Sequence, residues 1–408
     1  MCNASGKSRT AMIRVKMRIF FLMFFASLSF SASAQDGIET DLDAEMTLVG
    51  AFMDESTGRS PRNGMGEISV SGSASKVLAN GVEISGNVTF RGQTDHPQRP
   101  GFAGSVIDCP PNLSGCANLN GSALRGSFSR LSTQPFADDA GARGSLERAY
   151  VEIDGGWGAL TLGRDDGVGA RFFEGGPTVF SLARDRDPIL DPTGINSVRT
   201  RNDISSTAEK ASYVTPRLLG LRAGLSYTPD ASVRRLDLET SRKALGVIEP
   251  ELGDAVELGL QGYHFFRDVD LRLRGSLTWS QANSATPMYE DTQTTSFGLD
   301  LERRDKFRVG FSILNSSNGG YGDYSSAAIG AEYIIKDWRI GLNGSQATDD
   351  TIGLETESAT LGLGRDLNDH VGLTLGYRTS RAELDSAPAG WSDNIDQDGV
   401  LLEVRIRK

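Results

Sequence analysis

Few side chains in this 408-residue sequence are of a kind that does covalent chemistry, and they are poorly placed for it. The three histidines, His96, His264 and His370, fall in a long connection, near a strand end and at a turn. No two of them can easily share a site with a serine, which disfavours a hydrolase of the serine–histidine type. Cys109 and Cys116 enclose a short segment containing Pro110, Pro111 and Gly115. In an oxidising compartment this pair is expected to close a small disulfide loop, since a metal site needs more ligands and a redox pair is more often spaced C-x-x-C. The remaining concentration of chemistry is charge. Asp185, Asp187 and Asp191 are interleaved with Arg184 and Arg186 in a long segment, 165–207. With loop carbonyls the three carboxylates could hold a structural Ca²⁺, although the spacing and glycine of a known calcium loop are missing.

The elements that must position these charges are strands. From Val269, the residues Val269, Leu271, Leu273, Gly275, Leu277 and Trp279 take one parity, and Asp270, Arg272, Arg274, Ser276, Thr278 and Ser280 the other. A period of two over twelve residues is a β signature. It returns in Phe297, Leu299 and Leu301, in Phe307, Val309, Phe311 and Ile313, in Val371, Leu373, Leu375 and Tyr377, and in Val400, Leu402, Val404 and Ile406. Sixteen such stretches run from about Glu39 to the C terminus. Seven connections are tight, among them Asn80-Gly81, Arg267-Asp268, Asp305-Lys306, Lys336-Asp337 and Asn368-Asp369, and eight are long. The weakest stretch is the first, Glu39 to Phe52, for which a short periplasmic helix is the alternative. A single-chain barrel needs an even count to bring its last strand beside its first, which favours a strand there. The expected fold is therefore all-β, a 16-stranded antiparallel transmembrane β-barrel, with a two-sheet sandwich as its rival. Trp157, Trp338, Phe265 and Phe266, at or near the tight turns, suit an interfacial girdle.

The N terminus agrees with that compartment. Arg14, Lys16 and Arg18 precede an apolar run from Ile19 to Phe30, and Ala32-Ser33-Ala34 is the small-residue pattern of a signal-peptidase site, so residues 1–34 are expected to be removed as a signal peptide and 35–408 to form the barrel domain. The run is too short to span a bilayer as a helix. Without Lys7, Arg9, Arg14, Lys16 and Arg18, the mature chain keeps 37 basic against 53 acidic residues, a net of −16, which makes nucleic acid an unlikely partner. Hydrophobic content of 38% is low for a helical membrane protein but suits a barrel with a wet interior.

A barrel of sixteen strands is too wide for its side chains to fill. The segment 165–207 is the candidate for narrowing it. Phe172-Phe173-Glu174-Gly175-Gly176-Pro177 has two adjacent glycines for a bend and aromatics to pack on a wall. Gly158 to Val168, GALTLGRDDGV, then Phe173-Glu174-Gly175-Gly176, and Ala211 to Tyr227, ASYVTPRLLGLRAGLSY, resemble the general porins of Gram-negative outer membranes. The resemblance implies a third outer loop folded into the lumen, with its carboxylates facing basic wall residues. It also implies three associated barrels and passive diffusion of ions and small hydrophilic solutes. Carried over, it puts Glu174 at the bend and Asp185, Asp187 and Asp191 on the acidic side of a constriction. For the basic side, parity selects Arg91, Arg148, Arg272 and Arg274 as inward, with Arg199 and Arg201 on the far arm of the loop. Opposed charges across a narrow channel would create a transverse field that orients dipolar solutes. The mature charge suggests a mild cation preference. A substrate-specific channel, or a non-conducting surface barrel such as an adhesin, are the alternatives. Acidic outer loops are expected to meet lipopolysaccharide through divalent cations. One departure from the family is the terminal residue, Lys408, where an aromatic is usual.

Overall fold

A backbone that crosses lipid must satisfy every N–H and C=O within itself, and a sheet does so only by closing. The structure is a computed structural model that describes residues 37–56, 63–94, 123–131, 141–238, 247–248, 250–385 and 394–408. Sixteen of its strands form a closed antiparallel ring. They are β1 (Glu39–Glu55), β2 (Gly64–Val77), β3 (Glu83–Thr94), β4 (Ala142–Gly155), β5 (Gly158–Arg164), β6 (Glu209–Val214), β7 (Leu221–Asp230) and β8 (Leu252–Phe266), followed by β9 (Leu271–Ser284), β10 (Thr292–Arg303), β11 (Phe307–Ser316), β12 (Tyr324–Ile335), β13 (Trp338–Asp349), β14 (Leu354–Asp366), β15 (Val371–Leu384) and β16 (Asn394–Arg407). Every strand pairs with its sequence neighbour, and β1 closes on β16 from Glu45↔Arg407 to Glu55↔Gln397. The first stretch is thus a strand, and it runs three residues beyond Phe52. At the seam Lys408 donates its N–H to the Ala44 carbonyl at 3.0 Å. A two-residue parallel pair, Ala123–Leu124 with Val247–Ile248, ties the connection after β3 to the one after β7.

Parity behaves as alternation dictates outside two register irregularities, at Glu147 opposite Thr89–Phe90 and at Gly253–Val256, with one correction. Val269 does not begin a strand: Arg267–Val269 is a 3₁₀ turn and Asp270 takes a left-handed φ of 52°, so β9 starts at Leu271. The apolar Val269 side chain stays exposed beside the turn. Leu277, Ile329, Leu342, Leu361 and Leu375 are exposed on the outer face, the apolar band expected of a barrel set in a bilayer. At the tight-turn rim Trp157 stacks on Tyr213 with centroids 6.1 Å apart, and the Arg365 guanidinium lies 5.0 Å over the Trp338 ring.

The inward residues hold the informative anomaly. An open tube would leave them wet, yet Thr278, Ser296, Ser312, Asn343 and Thr360 are all buried. Something must cover them.

Candidate functional site

The cover is the segment 165–207, which opens with the single helical turn α1 (Val168–Arg171). Its backbone is held by inward side chains around much of the ring. Val168 donates its N–H to Ser226 Oγ on β7 (2.8 Å), Gly169 to Glu257 on β8 (2.7 Å) and Glu174 to Ser276 Oγ on β9 (3.0 Å). Asn343 on β13 donates to the Pro177 carbonyl at 2.9 Å, and Ser345 to that of Asp185 at 2.7 Å. On the return arm, Ser296 and Ser326 donate to the Thr200 and Arg199 carbonyls. The chain therefore runs inside the ring, against its wall.

It can lie so close because the wall has a track of glycines. A Cβ at Gly298 would sit 1.6 Å from the Glu174 carbonyl oxygen, at Gly330 2.0 Å from that of Pro177, at Gly362 2.3 Å from Val179 Cγ1 and at Gly376 2.8 Å from Phe180. Gly310 faces Gly330 across the β11–β12 ladder, and Gly341, Gly362 and Gly376 are successive cross-strand neighbours. Gly224 and Gly259, also paired, make room for Val168 and Phe172. At the bend itself Gly176 takes a φ of +79°, which only glycine adopts without strain, and Gly175 leaves space for Arg186. Phe180 then enters an apolar cluster with Val49, Ala51 and Leu401, the inward face of the seam.

Two wall carboxylates clamp the segment. Glu403 on β16 accepts four hydrogen bonds, from Ser181 N–H (2.8 Å) and Oγ (2.6 Å), Leu182 N–H (2.9 Å) and Ala183 N–H (3.1 Å). Glu257 holds both arms, accepting from Gly169 N–H and from the Ser205 hydroxyl. Lys210 joins the two ends through the carbonyls of Asp165 (2.6 Å) and Ser206 (2.7 Å).

The residues singled out from sequence separate into those facing water and those used up inside the loop. Glu174 stands at the bend, half-buried, and accepts from Gln261 Nε2 at 2.8 Å. Burial raises its carboxyl above the usual range, against the opposing pull of Arg274. Asp185 is buried, and burial likewise raises it, with Arg378 the strongest countering charge. Asp187 accepts from the Thr200 and Arg201 N–H groups at 2.9 and 3.1 Å. Asp191 is buried and caps Thr193 and Asn196 N–H, both at 3.0 Å. The three aspartates do not converge on one point, and among the described residues no group of three or more His, Cys, Asp or Glu is arranged to hold a metal ion. On the basic side Arg91 is buried against Glu67, Asp237 and Glu147 at 2.5, 3.2 and 3.6 Å. Arg199 is buried with Asp203 at 2.7 Å, and Arg201 lies 3.9 Å from the same carboxylate. Arg272 and Arg274 pair with Glu302, and Arg274 also with Asp300. Arg148 keeps 42% of its side chain exposed while pairing with Asp165 and Asp166. Cys109 and Cys116 lie outside the described residues.

The Gram-negative porin family matches residues 21–384, most of the chain. The chain belongs to that family. As such it is an outer-membrane porin, a channel for small solutes. Several solved outer-membrane proteins share the fold at low identity. In vitro folded OmpT of Vibrio cholerae aligns at a TM-score of 0.54 and 10% identity, over 93% of this chain and all of that one. The outer-membrane channel DcaP of Acinetobacter baumannii gives 0.54 and 10%, over 93% and 99%. Salmonella typhi OmpF in complex with daunomycin gives 0.54 and 10%, over 91% and 98%. No curated protein sequence matches the chain.

Several side chains that shape this porin's interior escaped the sequence reading. Glu403 and Glu257 were indistinguishable from other inward carboxylates, because nothing local marks a side chain that will receive backbone donors from far along the chain. The glycine track left a signal, an inward glycine in each of β10 to β15, that parity alone could have caught. Arg184 was noticed only as an interleaving charge. It is half-buried, and its guanidinium makes no hydrogen bond or ion pair with the described residues; Arg201 and Asp187 are its strongest charged neighbours.

Proposed function

We propose that ions and small hydrophilic solutes pass alongside the segment 165–207, which narrows the lumen, and that the passage weakly prefers anions. The observation that carries this is where the loop's charges point. Net charge alone suggests cations, but permeation is governed by the groups that face the water in the narrow part. Asp185 and Asp191 are spent on the loop's own backbone or buried, whereas Arg148 and Arg171 keep 42% and 28% of their side chains exposed and Arg184 is half-buried with no ion pair among the described residues. Glu152 and Glu174 are among the half-buried carboxylates that oppose them, with Asp187 and Glu302. Reconstitution of the mature chain in a planar bilayer tests the proposal. Discrete conductance steps, with a reversal potential of the anion-preferring sign in a KCl gradient, are expected; a clear cation-preferring potential would refute the selectivity and silence would refute the passage.

The chain works in the outer membrane as a homotrimer on this proposal. Gly72, Ala74, Gly86 and Ala149, with Val88, Val151 and Leu162 beside them, form an outward groove on β2 to β5, which suits close approach of a second barrel better than the leucine-rich face of β8 to β15. Residues 1–34 are removed as a signal peptide, acidic outer loops meet lipopolysaccharide through divalent cations, and no bond-making step belongs to the cycle.

A further inference from the structure

Among the described lumenal arginines, most have a carboxylate. Arg184, Arg186 and Arg378 do not, nor do Arg217 and Arg222, and only the last two share a neutral partner. Arg222, inward on β7, donates from Nε to Gln261 Oε1 at 2.8 Å, and Arg217, on the tight turn before β7, donates from Nη2 to the same oxygen at 3.4 Å. The other end of that amide is committed, since Gln261 Nε2 donates to Glu174. A neutral group thus stands between the carboxylate and the two guanidiniums, fixing their positions without cancelling their charge. Each is also stacked on a ring, Arg222 5.0 Å above Phe172 and Arg217 5.6 Å above Tyr263, which orients the planar forks. Two like charges held together, oriented and unneutralised, are an arrangement that an oxyanion completes, because guanidinium forks match the oxygens of carboxylates and phosphates.

We propose that Arg217 and Arg222, braced by Gln261, form an anion-binding subsite on the tight-turn side of the constriction that recognises small oxyanions, with doubly charged phosphate preferred over a monocarboxylate. The subsite rests on the conducting passage proposed above, and it would raise the local concentration of such solutes at one mouth of the channel. Arg217 is exposed at the turn and Arg222 is half-buried behind it, so an anion from the tight-turn side meets them in sequence.

The test is single-channel recording of the mature wild-type chain in constant KCl, with inorganic phosphate or acetate added to one chamber at a time. Phosphate is expected to reduce the chloride-carried current with a saturating dependence, from the tight-turn side at lower concentration than from the other, and acetate to act more weakly. The double variant R217Q/R222Q should need at least about tenfold more phosphate for the same reduction, since loss of even one of its two charge-assisted contacts implies that much. Gln261→Glu, which supplies the missing carboxylate, should weaken the response similarly without removing either arginine. Lys306→Gln, on another tight turn, should respond as wild type. Wild-type current indifferent to phosphate, or an R217Q/R222Q response equal to that of wild type, would overturn the subsite while leaving the channel intact. Absence of any current from the wild-type chain would instead overturn the passage itself, and the subsite with it.

Discussion

Replacing Glu403 by glutamine should release the middle of the constriction segment without opening the barrel. The wild-type carboxylate accepts four hydrogen bonds, three from backbone N–H groups at Ser181, Leu182 and Ala183 and one from the Ser181 hydroxyl. A glutamine keeps the shape but offers one acceptor oxygen, and turns an NH₂ toward the donors that used the other. Oε1 serves the Ser181 N–H and hydroxyl while Oε2 serves the Leu182 and Ala183 N–H groups, so the amide oxygen can keep the latter pair and at least one N–H, that of Ser181, loses its partner, which costs roughly 1–3 kcal/mol. The segment's hold at 181–183 should weaken by about 1–3 kcal/mol, a shift of roughly fivefold to 150-fold in the local opening equilibrium. The remaining anchors limit the opening: Phe180 stays in its cluster with Val49, Ala51 and Leu401, and the Asn343 amide still holds Pro177. Hydrogen exchange at the amides of 181–183 should accelerate by that factor, while those of β10 to β15 stay protected, since their ladders do not depend on Glu403. Single-channel conductance should rise or become noisy, with the folded barrel as resistant to heat as wild type. Exchange at 181–183 and conductance both equal to wild type would refute the claim that this carboxylate anchors the segment.

Gly330→Leu puts a side chain where the first added atom would lie 2.0 Å from the Pro177 carbonyl, so the segment must move off β12 and the conductance must change; a functionally silent variant would show that contact to be unimportant. Arg184→Gln removes a half-buried cation that has no ion pair among the described residues, and should move the reversal potential in a KCl gradient toward cations by a measurable step, with step size of the current little changed. Glu174 has a carboxyl raised by burial, so it becomes neutral on acidification at a pH where ordinary carboxylates are still charged. Losing that negative charge should increase anion preference in a window just above the ordinary carboxylate range, and Glu174→Gln should abolish that part of the pH dependence in reversal-potential measurements.

The barrel was legible because its signal is local and repeated. Each strand alternates on its own, as Leu273, Gly275 and Leu277 do against Arg274, Ser276 and Thr278, and each tight turn has its own chemistry, as at Asn80-Gly81. Even the weak first strand followed from counting, because closure requires a partner for β16. Val269 was misplaced where alternation ran through a turn: parity cannot see that Asp270 adopts a left-handed conformation.

The lumen was not legible in the same way. That Arg91, Arg148, Arg272 and Arg274 point inward is a matter of parity, but whether an inward arginine meets water or a carboxylate depends on closure of the ring. Arg91 meets Glu67 from β2 and Asp237 from the connection after β7, while Arg148 stays half in solvent. Asp185, Asp187 and Asp191 announced their charge in the sequence, yet their surroundings are set by the loop's own turns and by Arg378 from β15. The sequence by itself determined the sixteen strands, the long segment after the fifth and the outward apolar face, since these arise from neighbours a few residues apart. Only the tertiary structure decided which charges the passage exposes, because that depends on side chains brought together from opposite sides of a closed ring.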